Sequence, residues 1–127
     1  MKKNIQNEFV VLDHEKNATV ELCDSSLYER IGQNYGEFIG HELISCHEFS
    51  EDWPSWEIHP HGDEVVILLS GKATLVLDLG NEQQQIELSE QGDYVLVPRD
   101  TWHTAKIKAQ SKLLFITPGQ GTLNKDV

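Results

Sequence analysis

The sequence predicts an all-β fold, an antiparallel β-sandwich or barrel, with one short helix near the N terminus. Short apolar runs recur along the chain between turn residues, and only one segment has helical periodicity. Many short strands at this spacing are typical of sandwiches and barrels. The predicted strands are 9–12, 18–22, 41–49, 56–59, 65–69, 73–78, 85–88, 94–97, 103–108 and 112–117.

The predicted helix begins near Asp24 and runs to Ile31. Ser26 and Glu29 have the spacing of a capping box, and Leu27 and Ile31 supply an apolar face. A glycine at 32 or 36 is expected to end the helix. Turn residues separate the strands that follow, among them the pairs at 62–63, 70–71 and 91–92.

The chain has the length of one domain, with 127 residues. We expect a single domain over residues 1–127, with its core at about 41–118. Residues 1–40 would add N-terminal strands and the helix. Residues 119–127 are polar and are expected to form a frayed tail.

The charge of the chain excludes some partners. A net charge of -11 opposes binding to nucleic acid and to anionic membrane surfaces. Residues 1–8 include two lysines but no apolar stretch follows them, so neither a signal peptide nor a membrane span is predicted. A cytoplasmic location is the expectation.

Two separated segments, 57–64 and 92–103, carry side chains of the kind that bind metals. Glu57 and His59 point to the same side of a strand, because side chains alternate along it. A turn at 62–63 can bring Glu64 back toward them. His103 must arrive from a distant strand, and such convergence is what a metal site in a β-fold requires.

These segments resemble the two motifs of the cupin family, G-x5-H-x-H-x3,4-E-x6-G and G-x5-P-x-G-x2-H-x3-N. Counting from Gly71 assigns Glu64 to the motif glutamate and His59 to the second motif histidine. Glu57 then occupies the place of the first histidine. The second segment matches at Gly92, Pro98 and His103. Three positions differ from the motifs, with Glu51 and Asp100 replacing glycines and Ile107 replacing the asparagine.

The resemblance implies a jelly-roll β-barrel with a mononuclear metal site formed by His59, Glu64 and His103. Glu57 would be a fourth ligand or a general base, pair with a cation, or leave the site with fewer ligands than usual. Each of the three motif residues also has an ordinary alternative, namely a core-edge histidine, a turn carboxylate and a surface imidazole.

Imidazole and carboxylate donors without thiolate suit a divalent Fe, Mn, Ni, Co or Zn ion. With only two histidines and one carboxylate bound, open positions remain for oxygen activation at Fe(II). If Glu57 also binds, the added negative charge reduces Lewis acidity. The two arrangements predict different chemistry.

Aromatic and polar side chains near the motifs are candidates for a small-molecule pocket. These are Trp53, Trp102 and His61. Trp56 and Ile58 have the opposite strand parity to Glu57 and His59, so they face outward. Either the N-terminal strand or a second copy of the chain is expected to cover them, and we expect a homodimer.

Three functional classes follow from these features. The first is a metal-dependent oxygenase, isomerase or lyase acting on a small organic molecule, with Glu57 as the base. The second is a non-catalytic protein that binds or senses a metabolite in the same cavity. The third is a metal-free structural barrel, which would have no need of the ligand-type residues. The residues favour the first two classes, and the first is our expectation.

Overall fold

Nine antiparallel strands make up most of the fold in the computed structural model, which describes residues 1–127. One α-helix and one 3-10 turn lie between the second and third strands. The elements are β1 (Glu8–Leu12), β2 (Ala18–Leu22), α1 (Leu27–Asn34), the 3-10 turn (Gly36–Phe38), β3 (Glu42–Phe49), β4 (Ser55–Ile58), β5 (Glu64–Asp78), β6 (Gln83–Leu88), β7 (Tyr94–Val97), β8 (Trp102–Thr117) and β9 (Leu123–Asp126).

The strands form two layers that share β5 and β8. The start of β5 pairs with β7 and with the end of β8, which also pairs with β3. The end of β5 pairs with β6 and with the start of β8, which also pairs with β4. The first layer is therefore ordered β2-β1-β3-β8-β5-β7, and the second β9-β4-β8-β5-β6. This agrees with the predicted sandwich.

The passage of β5 from one layer to the other occurs at residues 68–73, where the pairing with β8 shifts register. Gly71 has a φ of +91°, and a Cβ there would lie 2.3 Å from the carbonyl oxygen of Gln110. Only glycine allows the two backbones to approach this closely. The sequence prediction placed a turn at 70–71, but the chain bulges there and continues as one strand.

Two groups of buried side chains stabilise the fold. The larger lies between the two layers and the smaller lies under α1 and the 3-10 turn. The larger contains Trp53, Val66, Leu68, Ala73, Leu75, Leu77, Leu88, Val95, Val97, Ala105, Leu113 and Phe115. The smaller contains Phe9, Val11, Leu27, Phe38, Leu43 and Cys46.

The predicted helix is present, but its N terminus differs from the prediction. The Ser26 side chain makes no capping hydrogen bond. The Asp24 carboxylate instead accepts hydrogen bonds from the Ser26 amide at 3.0 Å and from Arg30 at 2.7 Å. The helix continues through Gly32 to Asn34. Neither this helix nor the 3-10 turn has the length and apolar composition needed to cross a membrane.

The segment after α1 has an unusual backbone. Gly36, Glu37 and Phe38 have φ values of 55°, 61° and 61° in succession. Left-handed conformations of this kind are uncommon for residues other than glycine. They turn the chain sharply so that Phe38, 6% exposed, packs into the smaller core group.

The expectation of a frayed tail at 119–127 was wrong. β9 pairs with β4, placing Asn124 opposite Glu57 and Lys125 opposite Trp56. The ammonium group of Lys125 lies 4.3 Å from the centre of the Trp102 ring. All four side chains of β9 are exposed, so the sequence shows no apolar alternation that would predict this strand. Backbone pairing with β4 holds it in place.

Candidate metal centre

The candidate ligands lie between the two layers at one end of the sandwich. Glu57 on β4 and His103 on β8 are opposite each other in the second layer. Opposite residues on neighbouring strands share a face, so both side chains point inward. Glu64 begins β5 in the first layer, and His59 follows the end of β4. His59, Glu64 and His103 are 4%, 2% and 0% exposed.

The hydrogen bond of His103 fixes which ring nitrogen faces the centre. Its Nδ1 lies 3.0 Å from the carbonyl oxygen of Thr101, which only accepts hydrogen bonds. Nδ1 therefore carries a proton. In the neutral imidazole, the lone pair is then on Nε2.

His59 is fixed in the same way by a threonine. Its Nδ1 lies 2.8 Å from the Thr122 hydroxyl oxygen, and that hydroxyl lies 3.0 Å from the carbonyl oxygen of Gly119. Because the Thr122 proton is donated to Gly119, the hydroxyl oxygen accepts from His59 Nδ1. The Nε2 lone pair of His59 is again left free.

Both free Nε2 atoms converge on the Glu64 carboxylate. Nε2 of His103 lies 3.0 Å from Oε1, and Nε2 of His59 lies 3.3 Å from Oε2. Thr117 donates a hydrogen bond of 2.6 Å to Oε2. No partner satisfies either Nε2 or Glu64 Oε1 with hydrogen-bond geometry. Ligand atoms of Glu57, His59 and His103 lie within 4.8 Å of one another.

The charges of this group depend on one another. Burial by itself would raise the pKa of Glu64, but contact with His103 and His59 outweighs it and lowers the pKa to about 2. Burial would lower the pKa of His103, but the neighbouring Glu64 outweighs it and raises the pKa. Burial, and then the negative charge of Glu64, raise the pKa of Glu57.

The group fits a divalent metal ion. A lone pair on a neutral imidazole repels a carboxylate at 3 Å, unless a proton or a cation lies between them. Three buried atoms have no hydrogen-bond partner here, and all three are ligand types for a divalent ion. Hydrogen bonds to the outer ring nitrogens, as made by Thr101 and Thr122, typically orient imidazole ligands.

A cavity of about 840 Å³ opens from this group. Glu57, His59 and Glu64 line its inner end. Phe49, Trp53 and Phe115 form one wall, with ring centres 5.5 Å, 5.9 Å and 6.2 Å apart in pairs. Its volume is that of a small-molecule site and far exceeds the space that a metal ion needs.

A tyrosine and a histidine also line the cavity. The Tyr28 hydroxyl lies 2.9 Å from His47 Nε2, and the two rings stack with centres 6.3 Å apart. Burial lowers the pKa of His47, so its ring is neutral at pH 7. This pair joins α1 to the inner face of β3 at the cavity wall.

Comparison with known families identifies the fold. The family model described as "Cupin domain" matches residues 49–119. The chain belongs to the cupin family. No curated protein is similar to this cupin by sequence.

Solved structures similar to this cupin share its fold at low sequence identity. A cupin-2 domain containing protein from Shewanella frigidimarina NCIMB 400 has 22% identity and a TM-score of 0.52 over 61% of this chain and 70% of that chain. An oxalate oxidase has 16% identity and a TM-score of 0.54 over 65% of this chain and 45% of the other. Hydroquinone 1,2-dioxygenase from Sphingomonas sp. TTNP3, with 4-hydroxybenzoate bound, has 17% identity and a TM-score of 0.52 over 60% and 58% of the two chains.

One departure from the cupin motifs lies in a left-handed turn. Asp100 stands where the second motif has glycine, and its φ is 58°. Asp is one of the residues that enter this left-handed region most readily. The Asp100 amide donates to the carbonyl oxygen of His59 at 3.1 Å. The substituted turn thus ties one motif segment to the other.

The pocket candidates of this cupin separate into two groups. Trp53 lines the cavity, whereas Trp102 and His61 do not. Trp102 lies against Lys125, and His61 lines a smaller polar pocket with Asp63 and Arg99. Strand alternation explains why Trp102 does not line the cavity. It directly precedes the inward-facing His103, so its side chain points outward.

Sequence reasoning did not select His47, Tyr28 or Thr122 for the cupin site, nor Thr101 and Thr117, which contact its histidine and carboxylate. His47 shares its strand parity with Leu43 and Phe49, which gave a signal that it faces inward. No sequence signal indicated that Tyr28 lines the cavity, because the packing of α1 on the cavity is a tertiary feature. No sequence signal indicated Thr122 either, since it lies in the segment that we expected to be frayed.

Proposed function

We propose that this cupin binds one divalent metal ion through His59, Glu64 and His103, with Glu57 as fourth ligand or base, and acts on a small organic molecule in the adjoining cavity. One observation carries the proposal. The Nδ1 partners of both histidines leave both Nε2 lone pairs directed at a buried carboxylate. Without a metal ion, the same contacts require a buried, protonated imidazole beside Glu64.

Three threonines orient the metal ligands, and Glu57 is placed for proton transfer. Thr101 and Thr122 hold the two imidazoles in the tautomer that binds metal. Thr117 orients the Glu64 carboxylate. Glu57 lines the cavity, and its raised pKa brings its proton transfer nearer to neutral pH, which suits a general base. A bound divalent ion would supply Lewis acidity toward an oxygen or nitrogen of the small molecule.

The comparisons support metal-dependent enzymology as the first candidate. An oxalate oxidase and a hydroquinone dioxygenase share this fold, and each is named for its reaction. The cavity of about 840 Å³ gives an organic molecule access to Glu57. A binding or sensing protein would use the same cavity without turnover, and fold alone does not separate the two.

Elemental analysis of the purified protein tests the proposal, together with mass spectrometry of small molecules released on denaturation. We expect about one equivalent of a transition metal per chain after growth in a medium containing Fe, Mn, Ni, Co and Zn. Protein that remains metal-free after incubation with each of these ions would contradict the proposal.

The stabilisation conferred by metal should increase with pH. Because its folded pKa is raised, protonated His103 stabilises the metal-free protein below the unfolded pKa of about 6.5, and this contribution is lost as pH rises through the folded pKa. Protons and metal also compete for the imidazoles. Melting temperatures with and without Zn²⁺ should therefore differ more at pH 7.5 than at pH 5.5. An equal difference at both values would argue against imidazole ligation.

We also propose that the chain forms a homodimer through the outer face of β4. Trp56 and Ile58 remain partly exposed on that face, even though β9 pairs along the same strand. Burying such side chains contributes on the order of 1.5–3 kcal/mol each. Light scattering should give twice the chain mass, and Trp56→Lys should shift it toward the monomer. A monomer mass at all accessible concentrations would rule out this interface.

A further inference from the structure

We propose that the cavity selects a small organic cation with an apolar body, such as a protonated or quaternary amine attached to a ring. This inference rests on the proposed function, because it names the charge class of the molecule that the same cavity accepts. It depends on the charge of the lining, on the aromatic wall and on the buried carboxylate at the inner end.

The lining of the cavity carries acidic side chains and no basic ones. Among its 24 residues are six carboxylates and neither lysine nor arginine. Two histidines belong to the lining. His59 is part of the metal group, which consists of Glu57, His59, Glu64 and His103, and burial keeps His47 neutral at pH 7. The acidic residues are Glu37, Glu48, Glu51, Asp52, Glu57 and Glu64.

Nearby basic groups leave most of this negative charge in place. Lys112 approaches Glu48 only to 3.9 Å, and the Glu48 side chain is half exposed to solvent, which weakens the pair. Arg30, the basic residue of α1, pairs with Glu21 and Asp24 at 3.1 Å and 2.7 Å instead.

A bound divalent ion would offset two of the carboxylates. A metal centre with Glu57 and Glu64 as ligands has no net charge. The four remaining carboxylates, all on exposed residues at the mouth end, away from the buried Glu64, still outnumber the single weakly paired lysine. An anionic ligand would meet no side-chain countercharge, whereas sites that bind carboxylates commonly supply arginine.

The aromatic wall of the cavity favours a cation as well. Phe49, Trp53 and Phe115 line the cavity together, and the faces of such rings attract cations. Aromatic rings also provide apolar surface for the body of the ligand.

The inner end of the cavity supplies an independent sign of a ligand. Glu64 is 2% exposed, and its Oε1 has no hydrogen-bond partner. A buried carboxylate oxygen in this state requires a cation nearby. In the metal-free protein the inner end is therefore negative like the mouth, and with a divalent ion bound it is neutral. In both states the four other carboxylates favour positively charged molecules in the cavity.

Three probes of similar size test the charge preference. Benzyltrimethylammonium is a permanent cation that cannot coordinate a metal, benzyl alcohol is neutral, and benzoate is an anion. Titrations followed by NMR on Zn²⁺-treated protein should give a Kd for the cation at least about tenfold below that for benzoate, with the alcohol between them. Benzoate binding as tightly as the cation, or no measurable binding of the cation, would overturn the proposal.

A matched pair of double variants locates the effect in the cavity. Glu37→Gln with Glu51→Gln removes two lining charges that belong to no metal ligand. Glu82→Gln with Glu90→Gln removes two exposed charges that do not line the cavity. The first pair should weaken binding of the cation about three- to tenfold and leave that of the alcohol unchanged. The second pair should change neither. Equal weakening by both pairs would mean that net charge alone is responsible.

Metal content separates failure of this inference from failure of the proposed function. If elemental analysis finds no metal, the proposed function fails, while the charge preference is still measured on the metal-free protein. There Glu57 and Glu64 lack a countercharge, so the preference for the cation should be at least as large. If metal binds and benzoate is preferred, the proposed function survives and this inference fails.

Discussion

Replacing His103 with alanine should remove most of the metal from the purified protein. This imidazole is fully buried, and its hydrogen bond to Thr101 holds Nε2 toward the other ligands. Loss of an outer hydrogen bond to a ligand typically costs 10–100-fold in metal affinity, so loss of the ligand should cost at least about 100-fold. Elemental analysis after dialysis against a weak chelator measures the effect.

His61→Ala is the matched control for this experiment. His61 is an exposed imidazole outside the metal group, so its removal should leave the metal content unchanged. Because alanine at position 103 also leaves a space in a buried region, His103→Gln should be measured beside it, with circular dichroism to verify folding. Wild-type metal content in a folded His103 variant would rule out the proposed ligand set.

Glu57 variants should distinguish a ligand from a general base. If Glu57 binds the metal, Glu57→Gln keeps the shape of the side chain but removes its charge, so metal affinity should weaken while the fold persists. Glu57→His restores the arrangement of the cupin motif and should bind at least as tightly as wild type. Isothermal titration with Zn²⁺ on metal-free protein measures both.

The general-base alternative gives a different pattern in the same variants. Glu57→Gln should then keep the full metal affinity and lose turnover by a factor of roughly 10²–10⁴ once a substrate is known. Wild-type affinity in both variants would show that Glu57 is not a ligand. Glu48→Gln is a suitable control, because this carboxylate also lines the cavity but lies outside the metal group.

The sequence predicted the sandwich and the family because both leave local signals. Alternating apolar residues mark the inner faces of the strands, and motif spacing identified the segments that carry Glu57, His59, Glu64 and His103. The structure brings these four side chains together. Side chains alternate along a strand, so the sequence alone assigns Glu57 and His59 to one face.

Features that depend on tertiary pairing were not predictable. β9 has four exposed residues and no alternation, so nothing in its sequence indicates that it pairs with β4. The Ser70–Gly71 pair has the composition of a turn, and only the approach of the Gln110 carbonyl shows why it is a bulge. The capping box had the correct spacing, but Asp24 was placed better to accept the hydrogen bonds.

The sharing of β5 and β8 between both layers limits how this molecule can move. Glu64 lies at the start of β5 and His103 near the start of β8, and each strand runs unbroken from one layer to the other. The layers cannot slide apart without breaking the hydrogen bonds of both long strands. The spacing between Glu64 and His103 is therefore rigid. Widening of the cavity must come from its other wall, where α1 and the left-handed turn at Gly36–Phe38 pack against the barrel without strand pairing. Accommodation of a larger ligand would thus move the twelve residues from Leu27 to Phe38, while Glu64 and His103 stay in place.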